Sequence, residues 1–249
     1  MASIEALRER THHHPGIERG KALARLTHAA RVMLAGTKAT HPDGLPVIAY
    51  RGEHGASGAW LETRLPSISF GSREAAGVYA CQPNNRNDRV GAARVLPAFL
   101  SIKNPIMNDP DDPYLDLVLV RRALGQAATI EIALRHAEHI IDTGNWLENF
   151  DSAFGSVEEL LALRPQAIDE LYLDAYVVLD DGEAVRALAA VGCDGAIHGG
   201  NGVTALDTEY RVFDSRQVIS VLTGRPVLAA NIEQGAERRF AQPEAAPAP

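Results

Sequence analysis

Apolar residues recur at helical spacing in several stretches of the chain. In the first of them Leu23, Leu26 and Met33 would share one face, as in an amphipathic helix. The longest stretch is interrupted at Gly125, where a helix is expected to break. These patterns predict helices at residues 16–38, 72–83, 114–142, 156–163 and 182–191. Two of these helices carry serine N-caps, at Ser72 and Ser156.

Short apolar runs bounded by turn-forming residues separate the helices and predict β-strands. In the last run Glu209 and Arg211 alternate with Tyr210 and Val212, so the two pairs would face opposite sides of a sheet. The predicted strands are residues 45–50, 67–70, 94–102, 171–179, 193–197 and 209–213. Because the helices between them are unequal in length, the order lacks the regular βαβ alternation of a doubly wound sheet and predicts an α+β domain.

The phosphate-binding motifs of two common nucleotide-binding folds are missing from the sequence. No Gly-x-Gly-x-x-Gly opens a helix, and there is no Gly-Lys-Ser/Thr phosphate loop. The glycine-rich turn at residues 198–202 leads into a strand rather than a helix. A Rossmann dehydrogenase and a P-loop NTPase are therefore poor interpretations of this chain.

Composition adds limits on partners and location. The chain has 249 residues, of which 46% are hydrophobic and 22% charged, as in an ordinary globular domain. The formal net charge of −8 lowers the expectation of a nucleic-acid partner. No apolar run approaches the ~20 residues of a membrane helix, so a cytoplasmic protein without a membrane partner is expected. The two cysteines are far apart, and no Cys/His spacing or calcium-loop pattern predicts a metal site.

Three segments follow from these patterns. Residues 1–44 are expected to form a helical extension that packs on the main domain or binds a partner. Residues 45–225 would form the main domain. Residues 226–249 form a C-terminal tail, whose end is rich in Ala and Pro and is expected to be disordered.

Candidate chemistry lies in three short motifs. The first ends a predicted strand, the second forms a strand that leads into a helix bearing Tyr79, and the third opens the last strand. They are Tyr50-Arg51-Gly52, Ser67-Ile68-Ser69-Phe70 and Asp207-Thr208-Glu209.

In order and spacing these motifs resemble the ADP-ribosyltransferase superfamily, in the class that combines an Arg, a Ser-rich strand and a terminal Glu. The likeness is greatest to small bacterial and phage modules of this type. Two further segments match their pattern, FLSIKNP at residues 99–105 and CDGAI at residues 193–197. The resemblance covers roughly residues 45 to 220. It implies an ADP-ribosyltransferase-like fold of two small, mostly antiparallel sheets flanked by helices around an NAD cleft.

The resemblance also implies roles for individual residues. Arg51, with Gly52, would anchor NAD, a task that suits a planar guanidinium with several donors. Glu209 would bind the ribose 2′-hydroxyl and stabilise the positive charge that develops when the nicotinamide bond breaks. Asp207 would orient or deprotonate the acceptor. It stands where relatives carry Glu or Gln, which leaves the acceptor residue open.

Four more residues are candidates for cofactor binding. Ser67 and Ser69 share one face of their strand, where a hydroxyl would hold Glu209 or the ribose. The alternative is an exposed Ser-x-Ser face. Tyr79 would stack on nicotinamide, although an aromatic ring on an amphipathic helix more often packs in the core. Phe70 is the fourth candidate, and its ring suits core packing equally well. Two weaker candidates border the loop that carries Asp207, namely His198 and Asn201.

The resemblance therefore implies a mono-ADP-ribosyltransferase that moves ADP-ribose from NAD, its cosubstrate, to a macromolecular acceptor and releases nicotinamide. The expected acceptor is a protein. The enzyme would act in the cytoplasm of the cell that produces it or, as a bacterial or phage effector, in the cytoplasm of a target cell. Two alternatives stay open: an NAD glycohydrolase, and a catalytically degenerate module that binds or inhibits a partner.

Overall fold

The computed structural model describes residues 15–54, 61, 65–81, 93–200 and 207–227. In this part of the chain the strands form three sheets, with orders β1-β3-β9, β2-β8-β7-β4 and β5-β6. The strands are β1 (Ala49–His54), β2 (Ile68–Phe70), β3 (Ala93–Leu100), β4 (Pro105–Asp109), β5 (Tyr114–Asp116), β6 (Tyr172–Asp174), β7 (Gly195–Gly199), β8 (Thr208–Val212) and β9 (Val218–Ser220).

Helices precede, separate and cover these strands. They are α1 (Pro15–Ala24), α2 (His28–Leu34), α3 (Arg73–Cys81), α4 (Leu117–Leu124), α5 (Gln126–Arg135), α6 (Ala137–Ile141), α7 (Gly144–Asn149), α8 (Val157–Leu163), α9 (Ala175–Leu179) and α10 (Gly182–Ala190), with short 3₁₀ turns at Pro165–Glu170 and Ser215–Gln217. Within the described residues, every helix falls short of the length and apolar character that crossing a membrane requires. The predicted α+β class is confirmed.

The sheets are mostly antiparallel, as expected, but the described residues form three sheets rather than two. The four-stranded sheet is mixed, because β4 runs parallel to β7 while its other pairs are antiparallel. The third sheet, β5-β6, is an antiparallel pair at the edge of a helical region. Strand β4 was not predicted, since its five residues combine Pro, Asn and Asp with only two buried apolar side chains.

The N-terminal segment packs on the outside of the three-stranded sheet. The single helix predicted for residues 16–38 is two helices, and Thr27 N-caps the second by accepting a hydrogen bond from the Ala30 amide at 3.3 Å. Ala30 and Leu34 share an apolar cluster with Phe99 of β3 and Ile219 of β9. The helical segment therefore packs against this sheet.

Two larger cores lie on opposite faces of the four-stranded sheet. One core joins this sheet to the β1-β3-β9 sheet and includes Phe70, Leu96 and Val212. The other fills the helical region between β5 and β7 and includes Trp146 and Leu160. The four-stranded sheet is thus covered on both sides.

A predicted strand at residues 171–179 is wrong in its second half. Only Tyr172–Asp174 forms a strand, and Ala175–Leu179 turns into a short helix. Its residues from Val177 to Leu179 are all buried. A run that is buried on every side shows no periodicity, so the sequence alone does not separate a strand from a helix there.

The junction between α9 and α10 carries two adjacent aspartates. Asp181 N-caps α10 by accepting hydrogen bonds from the amides of Glu183 and Ala184. It also pairs with His136 at 3.0 Å and with Arg135. Burial alone would raise the pKa of Asp181, but these partners lower it to about 2. The neighbouring carboxylate, Asp180, points to the four-stranded sheet, as described below.

Candidate functional site

A buried ion pair lies on strand β8, inside the four-stranded sheet. Glu209 and Arg211 are each only 6% exposed. Nε of Arg211 donates to Oε1 of Glu209 at 2.6 Å. Val212 instead belongs to the core between the sheets, and Tyr210 packs against it. The predicted alternation along this strand is therefore present, with the two charges together on the helical side.

Two serines of the neighbouring strand segment complete this face. Strand β2 pairs antiparallel with β8, which places Ser69 opposite Arg211. The Ser69 hydroxyl donates to Oε1 of Glu209 at 2.6 Å. The Ser67 hydroxyl accepts a hydrogen bond from Arg211 at 3.2 Å and donates to the Leu179 carbonyl at 2.7 Å. Ser69 thus orients the carboxylate, whereas Ser67 holds the guanidinium.

The Glu209 carboxylate is held in its ionised form. Burial raises its pKa, but Arg211, His198 and the Ser69 hydroxyl lower it by more, so the pKa lies below its ordinary value. Such a carboxylate suits electrostatic stabilisation of a cation better than donation of a proton.

Arg211 and Asp180 are site residues that the sequence analysis did not propose. Nη1 of Arg211 donates to Oδ1 of Asp180 at 2.7 Å. Burial lowers the pKa of Arg211, yet Glu209 and Asp180 together raise it above its ordinary value. The position of Arg211, two residues after Glu209, was a usable signal. Asp180 has no local signal, because only the fold brings the α9–α10 junction to β8.

Arg51, on β1 of the three-stranded sheet, reaches strand β2 of the four-stranded sheet. Its Nη1 donates to the Ser69 carbonyl at 3.1 Å, and its Nε donates to Glu53 at 3.1 Å. Glu53 also accepts from Arg94, across the β1–β3 pair, at 2.9 Å. Ser69 therefore joins Arg51, through its carbonyl, to Glu209, through its hydroxyl.

Gly52 serves a packing role next to Arg51. A Cβ built at Gly52 would lie 1.9 Å from the Ala76 carbonyl oxygen and 2.8 Å from the Ala80 amide nitrogen. Both atoms belong to the backbone of α3. Only a residue without a side chain lets this helix lie so close to β1.

Replacing Gly52 by Ala is expected to lower the free energy of unfolding by about 1–3 kcal/mol, because α3 must move away from β1. Gly77→Ala, in the same helix, is the matched control, since a Cβ there meets no atom within 4 Å. That control should stabilise the protein by about 0.5–1 kcal/mol. Urea unfolding followed by circular dichroism measures both, and equal effects would contradict the close packing.

The Asp207 carboxylate lies at the start of α3 and, among the described residues, makes no hydrogen bond to Glu209, Arg211 or Ser69. Its Oδ2 accepts from the Ser72 hydroxyl at 2.7 Å. Ser72 in turn N-caps the helix, accepting from the Ala75 amide at 3.1 Å, as predicted. Asn201 lies outside the described residues.

The two aromatic candidates lie in different surroundings. Phe70 is 1% exposed in the core between the sheets. Its ring therefore packs in this core. Tyr79 is 51% exposed on α3. Burial of its hydroxyl raises the pKa of Tyr79, and the carboxylates of Glu209 and Asp180 raise it further, so the hydroxyl lies near the charged cluster.

His198 of β7 lies directly opposite Glu209 in the strand pairing. Its ring is 2% exposed, and burial lowers its pKa. Nδ1 lies 2.7 Å from the Gly199 carbonyl, which assigns the proton to Nδ1. Nε2 has no hydrogen-bond partner among the residues that the structure describes.

Together these residues surround a buried, ionised carboxylate, Glu209, which Ser69 and Arg211 orient. The cluster of Arg51, Glu53 and Arg94 contacts the same serine. Within the described ranges, no group of His, Cys, Asp and Glu is placed to hold a metal ion. Comparisons with protein-family models, with curated proteins and with solved structures find no match to this chain.

Proposed function

We propose that this protein is a mono-ADP-ribosyltransferase that uses NAD as the donor. It moves ADP-ribose to a macromolecular acceptor, in the first instance a protein, and releases nicotinamide. The observation that carries the proposal is the connection of the ionised Glu209 carboxylate, through Ser69, to the Arg51 guanidinium. This is the Arg, Ser and Glu set that the sequence motifs suggest.

The charge around Glu209 suits cleavage of the nicotinamide bond. As this bond breaks, positive charge develops on the ribose, as in glycoside hydrolysis. Arg211 carries one positive charge against the negative charges of Glu209 and Asp180. The ionised carboxylate of Glu209 would stabilise the oxocarbenium-like centre by its negative charge.

The cluster around Arg51 contains two guanidinium groups. Arg51 and Arg94 both donate to the carboxylate of Glu53. Guanidinium groups suit the pyrophosphate of NAD, because each presents several donors to phosphate oxygens. The reacting ribose would lie toward Glu209 and the phosphates toward Arg51.

Asp207 is proposed to act on the acceptor. The Ser72 hydroxyl donates to its carboxylate at the start of α3. A carboxylate in that place would orient the incoming nucleophile or accept its proton. The acceptor, with its proton removed, would bond to C1′ of the ribose as nicotinamide leaves.

The test incubates the protein with NAD and a cell lysate and measures two products. Free nicotinamide is quantified by chromatography, and the ADP-ribose mass is sought on protein, RNA and DNA by mass spectrometry. Nicotinamide release together with modified protein supports the proposal. Release without any modified macromolecule identifies an NAD glycohydrolase. Neither product, alongside stable capture of a partner protein, identifies a binding module and overturns the enzymatic proposal.

A further inference from the structure

The Nε2 atom of His198 is a buried acceptor that the described part of the chain leaves without a donor. Because Nδ1 carries the proton that bonds the Gly199 carbonyl, Nε2 keeps its lone pair. Native proteins leave few buried polar atoms unsatisfied, since each costs free energy. An unsatisfied acceptor therefore points to a donor that arrives with a ligand.

The position of His198 identifies where that ligand binds. His198 and Glu209 are direct partners across the β7–β8 pair, and side chains so paired leave the sheet on the same face, with Cβ atoms about 4.5–5.5 Å apart. The charged groups that act on the imidazole are Glu209, Arg211 and Asp180. Two acceptors thus stand side by side, one an ionised carboxylate and the other a neutral nitrogen.

We propose that His198 determines specificity by accepting a hydrogen bond from one hydroxyl of a cis-diol whose other hydroxyl binds Glu209. The ligand class is an intact ribose. The inference rests on the proposed function, in which the diol is the nicotinamide ribose, with its 2′-hydroxyl on Glu209 and its 3′-hydroxyl on His198. A neutral Nε2 suits this task, because a protonated imidazole has no acceptor.

The diol reaches Nε2 only after a neighbouring side chain moves, because this atom lies below the surface. The buried hydrogen bond that then forms has little competition from water.

Nicotinamide release is measured with NAD and with an analogue that lacks the 3′-hydroxyl of the nicotinamide ribose. The wild-type protein should show about tenfold lower kcat/KM for the analogue, the effect of one hydrogen bond. In His198→Asn, which keeps a donor for the Gly199 carbonyl but does not reach the Nε2 position, the difference should fall below about twofold. In His198→Gln, whose amide oxygen can occupy the Nε2 position, most of it should return.

A 2′-deoxy analogue is the control, since its discrimination should depend on Glu209 and not on His198. Thermal unfolding checks each variant, and His198→Leu replaces His198→Asn if the latter does not fold. NAD cleavage with equal 3′-deoxy discrimination in the wild type and in His198→Asn overturns this inference alone. A wild-type protein that releases no nicotinamide from NAD overturns both the proposed function and this inference.

Discussion

Replacing Glu209 by Gln is expected to lower kcat/KM for NAD cleavage by about 10²–10³-fold, the usual loss when one buried electrostatic stabiliser is removed. The amide keeps the shape of the carboxylate and can still accept from the Ser69 hydroxyl. It lacks the negative charge that would stabilise the ribose cation. Nicotinamide release under single-turnover conditions measures the loss.

Glu131→Gln is the matched control for this variant, because Glu131 is an exposed carboxylate on α5. It should leave kcat/KM unchanged. Far-UV circular dichroism should show the same secondary structure in both variants and in the wild type. A Glu209→Gln protein that cleaves NAD at the wild-type rate would rule out Glu209 as the catalytic carboxylate.

Replacing Arg211 by Leu is expected to lower the free energy of unfolding by about 3–5 kcal/mol. The change leaves two carboxylates, Glu209 and Asp180, without their shared cation, and Glu209 is almost fully buried. Urea unfolding at neutral pH measures the loss. Adding Glu209→Gln to this variant should recover about 0.5–3 kcal/mol, because one uncompensated charge disappears.

The control for Arg211 is Arg121, which pairs with Asp169 through two nitrogens at the protein surface. Both partners of that pair are more than a third exposed. Arg121→Leu should therefore cost less than about 1 kcal/mol. Similar losses at the two positions would contradict the buried ion network at β8.

Acid should reduce the cost of Arg211→Leu. The folded-state pKa of Glu209 is lowered, so its ionised form stabilises the fold above its ordinary pKa of 4.5, and this contribution is lost as the pH falls through the lowered value. Without Arg211, burial would raise the pKa of Glu209, and the neutral carboxyl would be tolerated. The gap between wild type and variant should narrow from about pH 7 to about pH 4.

Local signals predicted the parts of this fold that depend on local chemistry. Ser72 caps α3, and the break at Gly125 coincides with a positive φ of 83° between α4 and α5. Ser156 caps α8 by accepting from the Glu159 amide, as predicted, and the Glu159 carboxylate accepts from the Gly155 amide. The placement of Glu209 and Arg211 on one face of β8 was also predictable, because side chains alternate between the two faces of a strand.

Local sequence signals could not predict the features that depend on contacts between residues distant in sequence. Asp180 joins the site because α9 ends beside β8, a result of packing in the helical core. The packing role of Gly52 follows from the path of α3 over β1. The sequence could not decide whether Phe70 packs in the core or lines a ligand pocket, because a large apolar ring suits both equally well.

The α9–α10 junction ties the helical region to the polar cluster at adjacent residues. The Leu179 carbonyl accepts a hydrogen bond from Ser67, and the Asp180 carboxylate accepts one from Arg211. Asp181 caps the next helix. Removing the helices to obtain a minimal two-sheet fragment would leave Ser67 and Arg211 without these two hydrogen-bond acceptors. Engineers who wish to graft this polar face onto another scaffold must carry that short turn along with the strands.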